Sequence, residues 1–418
     1  MVGNSLKRIS FEELPAPEVR LTDSRIDAEV AKIIDDVRVR GKEGLEYWAE
    51  KLGEWKKGEP LILDRERLKR AWERLDKETA GVLERAHGRV AAFAAAQRGC
   101  LKDLDVAVPG GRAGHEFVPV GRAGCYVPGG RYPLPSSAIM TVTAASEAGV
   151  PEIWCAGPNP TEVTLAAAYI SGAQGYLACG GAQAIAALCF GVVVPRCDTV
   201  VGPGGRYVAS AKRQLFGLMG TEAPAGPSEL LIIASETANP AFVAADLLAQ
   251  AEHDNAATPM LICASESLAA LVDQELQKAL FALPEKNATT ARAALQNGWA
   301  LVEADFDKQC KAAERIAPEH LELMVDDPEP YTKRICSAGA VFIGSGSAEV
   351  MGDYGAGPNH TLPTGGAARF ASGLSVLQFL RARTWLKLDE PCKLASDTAT
   401  FARLEGLEAH ARAAELRG

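Results

Sequence analysis

The sequence lacks several patterns that identify common classes of protein. Its ten cysteines contain no CxxC pair, so neither a thiolate zinc site nor a disulfide framework is predicted. No apolar run approaches the roughly 20 residues of a membrane-spanning helix, and the N-terminal MVGNSLKRISFEELPAPE has no apolar signal core. The dinucleotide fingerprint GxGxxG does not occur. These absences favour a cytoplasmic protein with reduced thiols.

Basic residues are fewer than acidic residues, 44 against 53. The formal net charge is -9, and 23% of the residues are charged. An acidic protein does not attract nucleic acid or an anionic membrane non-specifically, so we expect small-molecule partners and neither nucleic acid nor membrane. The 418 residues exceed one ordinary hydrophobic core and predict two or three domains.

The order of hydrophobic patterns predicts an α/β fold. Residues 23–100 show the apolar spacing of helices. From about Arg122, short apolar runs alternate with helical patterns, as in EIWCAG before TEVTLAAAYISGA and LLIIAS before NPAFVAADLLAQAEH. Such alternation indicates βαβ units and parallel sheets. TEAPAGPSE at 221–229 is the best candidate for an internal boundary, and the tail TATFARLEGLEAHARAAELR is predicted as one amphipathic helix that must dock on another surface.

Polar side chains interrupt the apolar face of one predicted helix. Counting 100° per residue, Gln250 and His253 fall among apolar residues, with Asp246 near them. A buried polar group without a partner costs about 1–3 kcal/mol, so these side chains need hydrogen bonds or a bound ligand. On the residues alone, a hydrogen-bonded core histidine is favoured, and metal ligation is the alternative.

A second candidate is GDYGAGPNHTLPTGG at 352–366, whose glycines and prolines predict a loop. It carries Asp353 and His360, which suit either a functional loop or an ordinary turn. Nitrogen and oxygen ligands without thiolate suit a catalytic zinc ion with open positions. Four side chains of the chain would make such a set: Gln250, His253, Asp353 and His410.

The third candidate is ERIAPEHLELMV, in which Pro318 ends a predicted helix and HLELMV alternates like a strand. Glu319 and His320 would lie at the corner, where their side chains can reach a cleft. Histidine is the most common general base because it titrates near neutral pH. An exposed polar turn is the alternative interpretation of this pair.

A series of motifs then occurs in a defined order: GCYVPGGRYPLPSS, GGAQAIAAL, VGPGG-YVA-AKR, AGPSE, AADLLAQAEHD, IAPEHLELMV, GDYGAGPNHTLPTGG, SGLSV and EGLEAHARAAELR. They resemble the signatures of the histidinol dehydrogenase family from about residue 25 to the C-terminus. The resemblance implies oxidation of L-histidinol through the aldehyde to L-histidine, with two NAD⁺ and one bound Zn²⁺ per site. It also implies an α/β fold of two incomplete Rossmann-like domains.

The resemblance further implies a domain arrangement. A short N-terminal arm would cover residues 1–22, and a C-terminal helical tail would cover 373–418. A catalytic, zinc-binding domain would comprise 23–125 and 230–372, with an NAD-binding domain inserted at 126–229. The protein would be a homodimer in which each tail is swapped onto the partner subunit.

Roles for individual residues follow from the same resemblance. His320 would accept the hydroxyl proton and Glu319 would activate water. The implied zinc ligands are Gln250, His253, Asp353 and His410, the last lent by the partner subunit. The implied substrate contacts are Ser228, Gln250, His253, His320, Asp353, His360, Glu405 and His410. The implied dinucleotide contacts are Tyr126 and Gln183.

One position departs from the family. Gly205 stands where the family has an asparagine that contacts the dinucleotide, so the use of NAD⁺ is left open there. RAGCYVPGGRY and AIMTVTAA also resemble a paralogous branch similar to sulfopropanediol dehydrogenase, whereas GPSE and GDY-AGPNH stand in the histidinol form. The alternatives are therefore the same chemistry on another small diol or amino alcohol, and a zinc-bound relative that only binds its ligand.

Overall fold

The computed structural model describes residues 5–15, 23–129, 132–223 and 226–418. Within these ranges the chain forms three β-sheets and sixteen α-helices. Two of the sheets are built mainly or wholly from parallel strands joined by helices, which confirms the predicted α/β class. None of the described helices combines the length and apolar character that a membrane crossing requires.

The first unit is a five-stranded sheet in the order β2-β7-β6-β5-β8. Its strands are β2 (Ile62–Asp64), β5 (Arg122–Tyr126), β6 (Glu152–Ala156), β7 (Gly175–Leu177) and β8 (Thr199–Val201). Strands β5 to β8 are parallel, and β2 is antiparallel on the edge. The helices of this unit are α1 (Ser24–Arg40), α2 (Lys42–Lys51), α3 (Arg65–Glu73), α4 (Lys77–Gly99), α5 (Pro135–Glu147), α6 (Glu162–Ser171), α7 (Gly181–Phe190) and α8 (Arg206–Leu215).

The unit has two hydrophobic cores, and both include residues of the segment 23–125. Residues 23–125 are predicted with the catalytic unit of 230–372. In the structure, Leu68 of α3 lies in one core with Leu165 of α6, and Val30 of α1 lies in the other core with Leu188 of α7. Helices α1 to α4 therefore pack on the five-stranded sheet because their apolar faces are buried there.

The second unit is a six-stranded, fully parallel sheet in the order β1-β11-β10-β9-β12-β13. Its strands are β1 (Lys7–Ile9), β9 (Glu229–Ala234), β10 (Thr258–Cys263), β11 (Trp299–Val302), β12 (His320–Met324) and β13 (Ala340–Ile343). Its helices are α9 (Pro240–His253), α10 (Glu266–Ala282), α11 (Glu285–Leu295), α12 (Phe306–Ile316), α13 (Glu329–Arg334) and α14 (Glu349–Asp353). The predicted N-terminal arm thus contributes an edge strand, β1.

The C-terminal segment differs from the single helix that its pattern predicts. A strand, β14 (Leu380–Leu388), pairs with β4 (Gly111–Pro119), and β4 pairs with β3 (Leu104–Val108) in a three-stranded antiparallel sheet. Two helices follow, α15 (Cys392–Leu404) and α16 (Glu408–Glu415). Gly406, with φ of 76°, separates them because a left-handed residue cannot continue a helix.

The two tail helices form a hairpin with its own small core of Ala399, Ala402 and Ala411. The spacing of the tail predicts an apolar stripe of Phe401, Leu404, Leu407 and Ala411, and of these four only Ala411 is buried. The side chains of Phe401 and Leu404 are 62% and 80% exposed. The tail therefore presents apolar surface that its own chain does not cover.

Candidate active site and metal centre

The candidate catalytic pair lies at the amino ends of two strands in the six-stranded sheet. The chain leaves β9 toward β10 on one side and returns to β12 on the other, so β9 and β12 flank the point where the strand order reverses. His320 opens β12 opposite Leu230 of β9. Helix α9 runs back along the sheet and brings its last turn to the same edge. Ligands of open α/β sheets usually lie at the carboxyl ends of the strands. This candidate site instead lies at the amino ends of β9 and β12.

His320 is held in one defined orientation. Its Nδ1 lies 3.0 Å from the carbonyl oxygen of Glu229, which can only accept a hydrogen bond. Nδ1 therefore carries the proton, and Nε2 keeps its lone pair. Burial lowers the pKa of His320 to about 4, so the imidazole is neutral at pH 7. A neutral imidazole with a free nitrogen is suited to accept a proton.

Glu319 lies beside this imidazole. Its Oε2 accepts a hydrogen bond of 2.9 Å from the backbone N–H of Glu229 and lies 3.6 Å from Nδ1 of His320. The side chains of Glu319 and His320 are 7% and 5% exposed, so the alternative of an exposed polar turn is wrong. Burial, with the nearby carboxyl of Glu229, raises the pKa of Glu319 well above its usual range. The pair is a buried acid and a neutral base side by side.

His253 and Asp353 lie close together. The His253 Nε2 lies 3.8 Å from an Asp353 carboxylate oxygen, and their side chains are 33% and 12% exposed. Asp353 is the last residue of α14 instead of a loop residue, which corrects the predicted span of the loop. His360 lies in the irregular segment that follows, where its Nδ1 is 3.0 Å from the carbonyl oxygen of Asp353.

The side chain of Gln250 also indicates a bound ligand near the end of α9. Helix α9 begins at Pro240 with Asn239 as its cap, and its Phe242 is 49% exposed. Gln250 is fully buried, and neither its Oε1 nor its Nε2 forms a hydrogen bond in the described part of the chain. Buried polar atoms are nearly always satisfied, so these atoms point to a ligand.

The sequence did not indicate Glu349. One ligand atom each from His253, Glu349 and Asp353 lie within 4.8 Å of one another. Glu349 is 2% exposed, and its two carboxylate oxygens form no hydrogen bond within the described ranges. The available signal was its spacing, because residues four apart share one helical face with Asp353.

The nitrogen and oxygen atoms around His253 fit a divalent ion. Oxygen and nitrogen donors without thiolate suit zinc with open coordination positions. The unpartnered oxygens of Glu349 are buried beside His253 and Asp353, and the unpartnered amide of Gln250 lies three residues before His253 on α9, on the same helical face. The set therefore fits the ion that the resemblance implies.

Two further buried acids lie in this unit. The carboxyl groups of Asp246 of α9 and Glu322 of β12 are close enough to influence each other's pKa. Burial raises the pKa of Asp246 to about 6 and that of Glu322 to about 8. Glu322 also accepts a 2.6 Å hydrogen bond from the backbone N–H of Glu349 and so fixes the start of α14. The sequence predicts that Asp246 lies near Gln250 and His253 on α9. It does not indicate that Glu322 is a buried acid.

The tail residues are not part of this cluster in the single chain. His410 and Glu405 are both exposed on the helical hairpin. Ser228 is half-buried just before β9, where its carbonyl oxygen accepts a hydrogen bond from Thr258. The roles of these three residues remain predictions.

The predicted dinucleotide contacts lie at the carboxyl edge of the five-stranded sheet. Tyr126 ends β5, and its hydroxyl accepts a hydrogen bond of 3.1 Å from the backbone N–H of Gly181. β5 and β8 flank the point where this sheet reverses its strand order, which is where such folds bind dinucleotides. Gly202 after β8 approaches the Tyr126 carbonyl so closely that a Cβ atom would clash.

The side chain of Gln183 is held in place by Glu54, which the sequence did not indicate as a functional residue. Its Nε2 donates a hydrogen bond of 3.0 Å to Oε2 of Glu54, which also accepts one of 2.8 Å from Gly180. Gly205 caps α8 with φ of -66°, and no atom lies within 4 Å of a Cβ built there. The position therefore has room for the family's asparagine.

The model of the histidinol dehydrogenase family matches residues 17–418. Histidinol dehydrogenase of Thermus thermophilus is 42% identical over 405 residues, covering 94% of this chain and 95% of the relative. That of Aromatoleum aromaticum is 41% identical, covering 94% and 92%.

A solved structure is also similar to this chain. The crystal structure of histidinol dehydrogenase from Elizabethkingia anophelis superposes with a TM-score of 0.91 at 30% identity, covering 100% of this chain and 98% of that one. The likeness spans both α/β units and the tail. The chain belongs to the histidinol dehydrogenase family, a family of NAD-dependent oxidoreductases.

Proposed function

We propose that this enzyme oxidises L-histidinol through L-histidinal to L-histidine, with two NAD⁺ and one Zn²⁺ per site. The observation that carries the proposal is the neutral His320, which keeps a free Nε2 and lies beside Glu349 of a donor set for a divalent ion. A base and a Lewis acid at one site suit the oxidation of an alcohol.

His320 accepts the hydroxyl proton at Nε2 during the first hydride transfer. The carbonyl oxygen of Glu229 holds the Nδ1 proton and stabilises the imidazolium that forms. Bound zinc supplies polarisation and orientation of the alcohol oxygen, with Gln250, His253, Asp353 and His410 as the proposed ligands.

Glu319 acts in the second oxidation. In its ionised form, the Glu319 carboxylate accepts a proton from water as the water oxygen adds to the aldehyde carbon, and the resulting hydrate anion loses hydride to the second NAD⁺ to leave the acid. The backbone N–H of Glu229 stabilises the carboxylate that this role requires. Burial keeps bulk water from competing with the one that reacts.

NAD⁺ is proposed to bind at the carboxyl ends of β5 and β8, with Tyr126 and Gln183 as contacts. The reversal of strand order there and the close approach of Gly202 to Tyr126 support this position. The cofactor site is therefore assigned to the five-stranded sheet and the proton transfers to the six-stranded sheet.

The protein is proposed to be a homodimer with exchanged tails. The tail hairpin packs on its own alanine core and leaves Phe401 and Leu404 exposed, which supports docking on a second copy. Docking there would bring Glu405 and His410 of the partner subunit to the substrate. All ten cysteines are free, which supports a cytoplasmic location.

A substrate panel with and without a chelator tests the proposal. The enzyme should reduce NAD⁺ with L-histidinol, lose this activity in the chelator, and recover it with Zn²⁺. Turnover of a sulfonated diol but not of L-histidinol would instead support the paralogous chemistry. Failure to turn over any alcohol while retaining zinc would identify a ligand-binding relative.

A further inference from the structure

We propose that Glu349 is a further ligand of the divalent ion, so that one chain supplies four donors to it: Gln250, His253, Glu349 and Asp353. This inference rests on the proposed function, which places the ion in this cluster. It adds a second carboxylate and makes the chain's own half of the site sufficient to hold the ion.

The position of Glu349 carries the inference. Ligand atoms about 2.0–2.2 Å from one zinc ion lie no more than about 4.4 Å apart, whatever its coordination number. The atoms of His253, Glu349 and Asp353 lie within 4.8 Å of one another, so small side-chain rotations reach that geometry. Glu349 and Asp353 begin and end the short helix α14, and residues four apart project from the same face.

Among the described residues, the carboxylate of Glu349 has no hydrogen-bond partner. Both oxygens are buried and form no hydrogen bond in the described part of the chain. Nδ1 of His320 lies 3.6 Å from Oε1 of Glu349, but its proton is already directed to the Glu229 carbonyl oxygen at 3.0 Å. Orienting His320 therefore does not account for a buried carboxylate, whereas a bound cation does.

Charge balance favours the same assignment. With Asp353 as the only anionic ligand, a divalent ion and its neutral ligands keep a net charge of about +1 in a buried site. Glu349 cancels this charge. Its backbone N–H donates to Glu322 at 2.6 Å, which holds the start of α14 where the carboxylate faces His253 and Asp353.

The direct test is Zn²⁺ affinity of the full-length protein, measured by competition with a chromophoric chelator. Glu349→Gln keeps the shape of the side chain and removes its charge, so we expect binding at least about tenfold weaker than wild type. Glu252→Gln is the matched control, because this neighbouring acid bonds Asn287 and is not in the cluster. Zinc affinity of Glu349→Gln equal to wild type would overturn the inference.

The absorption spectrum of the Co²⁺-substituted protein gives a second readout. Replacing a carboxylate ligand by an amide should shift the ligand-field bands in Glu349→Gln and leave them unchanged in Glu252→Gln. An unshifted spectrum in Glu349→Gln would contradict direct ligation even if its affinity fell.

A tail variant tests the inference without altering the buried cluster. His410→Ala changes an exposed side chain, and four donors of the chain remain, so it should bind Zn²⁺ within about tenfold of wild type. Complete loss of zinc in this variant would overturn the sufficiency of those donors.

Wild type and Asp353→Asn separate this inference from the proposed function. If wild type binds no Zn²⁺, the proposed function fails as well. If wild type binds and Asp353→Asn loses zinc while Glu349→Gln does not, the zinc site stands and only the role of Glu349 is wrong.

Discussion

The Nδ1 of His320 lies 3.0 Å from the carbonyl oxygen of Glu229, and this contact determines which imidazole nitrogen carries the proton. The two residues face each other at the amino ends of β12 and β9. A backbone acceptor cannot rotate away as a side chain can, so the tautomer is fixed by the sheet itself. The free Nε2 is the nitrogen to which we assign proton transfer.

Replacing His320 with asparagine tests that assignment. Loss of a positioned general base typically lowers kcat by about 10²–10⁴-fold, so His320→Asn should lose activity on this scale. Zinc content should match wild type because His320 is not a proposed ligand. Activity within a few fold of wild type would show that another group accepts the proton.

Gly205→Asn tests the departure from the family at the dinucleotide site. A Cβ atom at Gly205 meets no atom within 4 Å, so the substitution should fold normally and provide an additional polar contact. We expect the KM for NAD⁺ to fall by about two- to tenfold, as one hydrogen bond is worth roughly 0.5–1.5 kcal/mol. Gly99→Asn, another open position, is the control. An unchanged KM for NAD⁺ would show that the missing side chain is not important.

A buried ion pair supports the loop that carries Gly205. Lys212 donates hydrogen bonds to the Glu222 carboxylate and the Gly202 carbonyl oxygen, and both charged side chains are 5% exposed. Lys212→Met leaves Glu222 buried without its counter-charge and should cost about 3–5 kcal/mol in unfolding free energy. The double variant with Glu222→Gln should recover part of that loss in urea unfolding. Single and double variants of equal stability would contradict the coupling.

The buried carboxyls predict how the stability of the metal-free protein depends on pH. Burial raises the pKa of Glu229 to about 7 and of Glu322 to about 8, against an unfolded value of 4.5. Between these values the folded state binds more protons than the unfolded chain, so its stability falls as pH rises through 7 and 8. The pKa of His320 is lowered to about 4, and its contribution is lost only as pH falls below 6.5.

We therefore expect the unfolding free energy of metal-free protein to drop by about 1 kcal/mol or more from pH 6.5 to about pH 8.5. Urea unfolding at both pH values measures it. Glu322→Gln removes one titrating group and should reduce the slope. A stability that rises over this range would contradict the protonation states assigned to these acids.

The exposed tail predicts an effect on assembly. Leu404 is 80% exposed in the single chain and would be covered if the tail docks on a second copy. Leu404→Glu should therefore shift the sedimentation coefficient from that of a dimer toward that of a monomer. Glu415→Lys, a charge change on the same hairpin, controls for non-specific effects. A Leu404→Glu protein that remains dimeric would argue against docking through this face.

Much of the fold was predictable because its strands and helices carry strong local signals. The segment from Pro318 to Met324 shows this: a helix ends before it, and HLELM forms a central strand as its pattern indicates. The tail was harder to predict. Its apolar spacing favoured one helix, but Gly406 adopts a left-handed conformation that the periodicity does not register.

The site was predictable only in part. Gln250 and His253 were recognisable as polar residues on the apolar face of a predicted helix. Asp353 was recognisable as an acid in a segment rich in glycine and proline. Glu349 and Glu322 gave no such signal, because a single glutamate in a helix or strand usually faces solvent. Their burial follows from how β12 and α14 pack, which depends on contacts distant in sequence.

The most direct test of the central claim is the amount of NADH formed per L-histidinol consumed. With excess NAD⁺ and Zn²⁺-loaded enzyme, limiting L-histidinol should give about two NADH per molecule, because the alcohol is carried through the aldehyde to the acid at one site. One NADH per molecule with release of L-histidinal, or no NADH at all, would contradict the proposed function.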